Sequence, residues 1–300
     1  MKRRLKMKKV IIVSHPEPRH DDDLIAIALL LTLDPQAEIK FVHPQKVPQE
    51  YMEDKNVILV DVGMQYDPSL NNFDHHQDKE IPSSLILIAK HFYPEINTQA
   101  PFMQAIDIKD RFGIQEAIKR GLIRADEKTD KKRKVILKTE ITPKTASIIT
   151  NTVKTLSKTN ASYEDFINML YNLLYNTEEF QKALKQTEEE EKAFERRLQQ
   201  VQIIEKDIKI GISKETLAPY HYEAFKRTQI DLLIEANSMN PNHTSLIVNT
   251  NSTVKEKAQE IRDKLIENMP LVFKHPTGFI AVVNLPVDEV IKTLKEANYV

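Results

Sequence analysis

The chain has 300 residues, 41% of them hydrophobic, and a formal net charge of -1. Two domains suit that length, and the apolar fraction supplies packed cores and excludes wholesale disorder. Near-neutral charge excludes bulk attraction of polyanions, so a nucleic acid would need a local patch or bound metal. The absence of cysteine excludes disulfides, thiolate metal sites and a cysteine nucleophile.

The basic start, residues 1–9, reads as a solvated arm, because a cleavable signal there would remove part of the histidine loop that follows. No apolar run nears the roughly 20 residues of a membrane span, so the expected location is cytoplasmic with no membrane partner. Residues 9–14 predict a buried strand. Asp23 to Leu33 predicts a helix with acidic residues at its N-terminus, where the macrodipole favours them. Strands follow at Glu38 to His43 and Asn56 to Val62, then a helix at Ser83 to Tyr93. This alternation predicts parallel βαβ units, a sheet covered on both faces, and ligands beyond the carboxyl ends of the strands. His15 and Asp61 stand at those ends.

From Thr98 to about Tyr175 the pattern is mainly helical, interrupted by a basic segment, Lys128 to Lys138. Its run Lys131-Lys132-Arg133-Lys134 reads as an exposed turn or hairpin, solvated or RNA-contacting. Thr142-Pro143 opens another helix, and Glu178 to Gln200 is a long charged connector. A second alternating pattern follows, with strands at Ile208 to Ile212, Ile230 to Ala236, Ser245 to Val248, Leu271 to Phe273 and Gly278 to Val283. Its helices are Val254 to Asn268 and Pro286 to Ala297. The expected domains are 1–177 (metal-binding and catalytic), 178–200 (connector) and 201–300 (smaller, substrate-binding).

Four clusters carry the chemistry. His15 is followed by His20, Asp21, Asp22 and Asp23; Asp61 ends a strand; Asp74-His75-His76 follows a short loop later; and Asp107 and Asp110 lie downstream. Carboxylates and imidazoles delivered from successive loops suit a pair of Mn²⁺ or Mg²⁺ ions, which about 3.5–4 Å apart form a phosphoester-cleaving centre. One aspartate after His20 is expected to cap the helix instead, and Asp107 reads equally as a supporting acid. Arg19 is either a bidentate clamp for a phosphate or a surface arginine. His91 and His221 have no supporting cluster, and His243, in a turn-like segment between Asn242 and Thr244, reads as a loop residue with substrate contact as the alternative. Glycine is scarce, five in all, and Gly63 within the second cluster suggests a backbone with φ > 0 or a close approach.

Taken together, Asp61-Val62-Gly63, Phe73-Asp74-His75-His76-Gln77, Asp107-Ile108-Lys109-Asp110 with Gly113, and Phe273-Lys274-His275 with Gly278-Phe279-Ile280 resemble the DHH phosphoesterases. Within them the chain is most similar to the melanocyte-proliferating-gene (Myg-type) exonuclease family. The resemblance implies an α/β fold: a parallel-sheet DHH-type domain and a smaller α/β domain joined by a long helix. It implies two ions, Mn²⁺ or Mg²⁺, one held by His15, His20 and Asp61, the other by Asp22, Asp61, His75 and Asp110. The family register favours Asp22 over Asp21. Asp61, His76 and Asp74 would be the catalytic group, with His76 facing the phosphate and Asp74 orienting the histidines. Arg19, His76, His275, Thr277 and Gly278 would bind substrate. Two departures stand out: Pro16-Glu17-Pro18-Arg19 lacks the asparagine-glycine type of turn, and Ala281-Val282 replaces a double glycine.

The expected function is a metal-dependent phosphodiesterase, a 3′→5′ exonuclease on RNA or short oligonucleotides. The alternatives are a dinucleotide or nucleotide phosphoesterase of the same superfamily, and a catalytically silent nucleic-acid-binding or scaffold protein. The oligomeric state is left open, a dimer included.

Overall fold

The computed structural model describes residues 11–16, 19–124, 126–275 and 278–297. The basic arm at 1–9 and Thr277 lie outside these described residues.

The described residues up to 187 form one compact unit. Its sheet is ordered β2 (Glu38–Phe41), β1 (Ile11–Ser14), β3 (Val57–Val60), β5 (Asn72–Phe73) and β4 (Tyr66–Asp67). Strands β1, β2, β3 and β5 run parallel, in a register that pairs Ile12 with both Ile39 and Ile58, and Val60 with Phe73. Only β4 is antiparallel, forming a hairpin edge on β5. The apolar runs explain the order: Val57–Val60 is wholly buried and central, as expected of a parallel strand covered on both faces. The two-residue strands β4 and β5 escaped sequence reading because two residues carry no periodicity.

Helix α1 (Asp21–Leu33) opens two residues before the expected start and is buried from Asp21 to Leu31. A helix apolar on every side must be enclosed by other elements. Here α3 (Ser84–Phe92), α4 (Pro101–Phe112) and α7 (Pro143–Leu156) all pack on it. Thr142 caps α7 through the Thr145 N–H, with proline in the first turn, as the Thr-Pro pair predicts. One expectation is corrected. The basic segment is not a turn or hairpin but helix α6 (Glu127–Lys138), capped by Asp126, which accepts from Lys128 and Thr129 N–H. Long unbranched Lys, Arg and Glu side chains are good helix formers, and Val135 and Ile136 bury its inner face. Helix α8 (Tyr163–Leu174) packs against α6.

The described residues from 188 onward form the second unit, so the division falls inside the long helix α9 (Glu178–Gln199). Its sheet is ordered β10 (Leu271–Lys274), β11 (Ile280–Val283), β9 (Thr244–Val248), β8 (Leu232–Ala236), β7 (Lys209–Ser213) and β6 (Gln202–Glu205). It is mixed: β7 and β8 are parallel and the other neighbours antiparallel. Helices α11 (Lys255–Ile266) and α12 (Val287–Glu296) share its main core, with Leu246, Ala258, Leu265, Val290 and Leu294 buried together. Among the described residues no helix is long and apolar enough to cross a membrane.

Candidate metal centre

Because β1, β3 and β5 are parallel, their carboxyl ends share one edge of the sheet. The residues that follow them are His15, Asp61 and Asp74. His20 is the N-cap residue of α1, and Asp110 lies near the end of α4. One donor atom each from His15, His20 and Asp61 lies within 4.8 Å of the others, and the same holds for Asp22, Asp61, His75 and Asp110. Asp61 is common to both groups. His75 Nε2 is 2.8 Å from Asp110 Oδ2 and 3.1 Å from Asp61 Oδ1. His15 Nε2 is 3.1 Å from Asp23 Oδ2 and 3.4 Å from Asp61 Oδ2, and His20 Nδ1 is 3.5 Å from Asp110 Oδ1.

The electrostatics of this cluster demand positive charge. Asp22 is fully buried, and among the described residues neither of its carboxylate oxygens has a hydrogen-bond partner. Burial, and then the carboxylates of Asp110, Asp61 and Asp23, hold its carboxyl well above the usual range. Burial works against charge on His15, yet Asp23 and Asp61 push it up to about 10. His75 is pushed up to about 10 in the same way, by Asp110 and Asp61 against burial. Asp61, despite its own burial, is held well below the usual carboxylate range by His15, His75 and His76. Protonated imidazoles thus supply the positive charge that the acids require. Divalent cations meet the same demand, and an oxygen and nitrogen donor set without sulfur suits Mn²⁺ or Mg²⁺. The residues present fit a metal site.

Asp74 has a different task. Its Oδ1 accepts from the His75 and His76 N–H groups and from His76 Nδ1 at 2.7 Å, while Oδ2 accepts from the Met64 N–H at 2.6 Å. Both oxygens accept hydrogen bonds that orient His75 and His76, and one Asp74 oxygen also lies within 4.8 Å of donor atoms of Asp61, His75 and His76. The bond to Asp74 raises the pKa of His76, whose half-exposed ring can present Nε2–H outward. Ser84 Oγ donates to Asp61 Oδ1 at 3.3 Å and to the Phe73 carbonyl at 2.8 Å, tying the start of α3 to the site. Asp61 itself has φ 59°, and Gly63 (102°) and Met64 (54°) follow it in the same left-handed half of backbone space. Non-glycine residues persist there only when their surroundings over-determine them. At Gly63 a Cβ would also lie 2.9 Å from Met52 Sδ.

The aspartate triplet divides its labour. Asp22 joins the cluster. Asp23 accepts from the His20 and Leu24 N–H groups, the capping role expected of one member. Asp21 turns away to Arg133 Nε at 2.8 Å, Tyr163 Oη at 2.8 Å and Lys109 Nζ. Asp107 is a supporting acid: it accepts from the Ser83 N–H and from Arg111. Sequence reasoning missed Ser84, Lys109, Arg133 and Tyr163. Lys109 stood inside the acidic motif, but nothing local marks Arg133, which is 112 residues from Asp21.

Arg19 is partly buried in the loop between β1 and α1. His275 and Gly278 belong to the second unit, where the Gly278 N–H donates to the His275 carbonyl at 2.8 Å. The Gly278 carbonyl accepts from Gln259 and from the buried Arg262.

Fold and site define an α/β protein with a cluster of carboxylates and imidazoles that could hold a cation at the carboxyl edge of a mainly parallel sheet. The family model MYG1_exonuc, described as "Uncharacterised protein family (UPF0160)", matches residues 11–285, and the chain belongs to that family. This is the Myg-type family that the motifs resemble. A solved structure titled "Member of s1p family of ribosomal proteins PF0399 DHH domain" is similar at 13% identity and a TM-score of 0.47, covering 97% of this chain and 86% of that one. No curated protein matches the chain. Family and site together suggest a metal-dependent phosphoesterase.

Proposed function

We propose that this protein is a metal-dependent phosphodiesterase, a 3′→5′ exonuclease acting on RNA or short oligonucleotides in the cytoplasm. The observation that carries the reading is the burial of Asp22 beside Asp61 and Asp110 with no hydrogen-bond partner among the described residues. Such a carboxylate costs several kcal/mol unless a cation meets it. His15, His20 and Asp61 would hold one Mn²⁺ or Mg²⁺ ion, and Asp22, Asp61, His75 and Asp110 a second. When bound, such ions activate water at neutral pH and offset charge developing on phosphoryl oxygens.

The chain's own groups do the rest. Asp74 holds His76 with Nδ1 engaged, so His76 can donate from Nε2 to a phosphate oxygen and orient the scissile group. Ser84 Oγ, which also donates to the Phe73 carbonyl, would help to steady the Asp61 carboxylate. Arg19 would add a bidentate contact to phosphate, and His275, Thr277 and Gly278 would hold the substrate terminus.

The near-neutral charge favours a second reading, a dinucleotide or nucleotide phosphoesterase with the same centre. A length series of labelled RNA and DNA oligonucleotides with Mn²⁺ separates the two: cleavage confined to dimers supports the second. In the same assay Asp61→Ala and His75→Ala are expected to lose roughly a thousandfold or more in kcat/KM. Full retention in both variants overturns the catalytic assignment, whereas a wild type that cleaves nothing and binds no Mn²⁺ by calorimetry favours a silent binding protein.

A further inference from the structure

A cavity of about 200 Å³ adjoins the candidate metal centre within the first unit. His20, Asp22 and Asp110 form one wall, and Asp21, Lys109 and Arg133 form another. At about 30 Å³ per water, it holds roughly six waters, enough for a phosphoryl group stripped of its hydration. The cationic wall is built rather than incidental. Lys109 and Arg133 come from different helices, α4 and α6, and both are anchored on the buried Asp21, with Tyr163 completing the shell. Of the two acids near these cations, Asp21 lines the cavity and Asp130, paired with Arg133 on α6, lies outside its lining. Arg133 engages Asp21 through Nε alone; among the described residues its terminal amino groups have no hydrogen-bond acceptor, Nη1 lying 3.7 Å from Asp130. A guanidinium with an open fork is suited to bidentate contact with a tetrahedral oxyanion.

We propose that this cavity is an anion subsite, formed by Arg133 and Lys109, that takes a second phosphate of the substrate next to the scissile one. The proposal rests on the phosphodiesterase reading above. It narrows the substrate class to molecules with two neighbouring phosphates, such as a 5′-phosphorylated dinucleotide. Metal ions bound by Asp22 and Asp110 would offset the opposite wall's negative charge, so the subsite is complete only in the loaded protein.

The test is calorimetric binding to the Mn²⁺-loaded protein of two dinucleotide analogues linked by an uncleavable, uncharged methylphosphonate, one with and one without a 5′-phosphate. In the wild type the 5′-phosphate is expected to tighten binding about tenfold or more. Arg133→Gln should reduce that difference to less than about twofold, as expected of a lost charge-assisted contact. Lys131→Gln, which removes a charge from the outer face of the same helix, should preserve it. If Arg133→Gln does not fold, Arg133→Lys keeps the charge on Asp21 but lacks the fork, and should lose most of the preference. Equal binding of the two analogues by the wild type, or an undiminished preference in the Arg133 variant, overturns the subsite. Failure of the wild type to cleave any natural phosphodiester is a different result and overturns the parent reading.

Discussion

At the scale of single residues, the decisive fact is that neither carboxylate oxygen of the buried Asp22 has a hydrogen-bond partner among the described residues, while Asp21 is held by Tyr163, Lys109 and Arg133, and Asp23 Oδ1 by the His20 and Leu24 N–H groups. Its raised pKa means that, between the unfolded value near 3.8 and the higher folded value, folding takes up a proton that the unfolded chain does not hold. The metal-free protein therefore bears no penalty from Asp22 well below pH 4. The penalty grows as pH rises above the unfolded value and levels off above the folded pKa. Asp22→Asn removes it. At pH 7 the variant should be more stable than wild type by about 1–3 kcal/mol without metal, and should lose most of the stabilisation that Mn²⁺ confers. Thermal melts with EDTA and with Mn²⁺ check both halves, and a destabilised metal-free variant would contradict this account. The sequence showed three adjacent aspartates, and helix periodicity alone could not choose among them. The choice lies in partners, since Lys109, Arg133 and Tyr163 claim Asp21 and the open turn of α1 claims Asp23. Asp61 was more legible, because an acid directly after the apolar run Val57–Val60 must emerge at the sheet's carboxyl edge.

Among elements, the site is held together by the same ion group that walls the cavity. Asp21 opens α1, Lys109 lies on α4, Arg133 on α6 and Tyr163 opens α8, so one carboxylate ties four helices. Burial opposes charge on Asp21, but Arg133 and Lys109 hold its carboxyl well below the usual range. Asp21→Asn would leave two cations facing each other in a largely buried place, at a cost of about 3–5 kcal/mol. A lowered urea midpoint with an unchanged m-value would record that loss. A variant as stable as wild type would show that water already screens the group. This crossing explains why the basic run misled sequence reading. Lys131 pairs with Glu127 on the exposed face of α6, while Arg133 turns inward, and a string of like charges does not reveal which member does so. The parallel strands were legible from apolar runs, whereas β4 and β5, which bring Asp74 to the edge, were not. Their pairing depends on β3, a contact that no local pattern encodes.

For the whole molecule, the important asymmetry is that every residue of the candidate centre belongs to the first unit, while the second has a sheet and apolar cores of its own. In the first unit one core encloses α1 and a second lies beside β1 and β3, so the strands that end in His15 and Asp61 are packed on both faces. Metal binding should therefore stabilise one unit selectively. By linkage, Mn²⁺ at a hundred times its dissociation constant adds about 2.7 kcal/mol to any state that must release it to unfold. That corresponds to roughly a hundredfold slower exchange for amides exposed only in such openings. Adding Mn²⁺ to chelator-treated protein should slow hydrogen exchange in α1, β3 and the second half of α4. Strands β7, β8 and β9 should be unchanged. Peptide-resolved exchange by mass spectrometry reads both at once. Uniform slowing across the chain would mean that the two cores open together, and no slowing in α1 or α4 would mean that the clustered acids and imidazoles do not hold a cation.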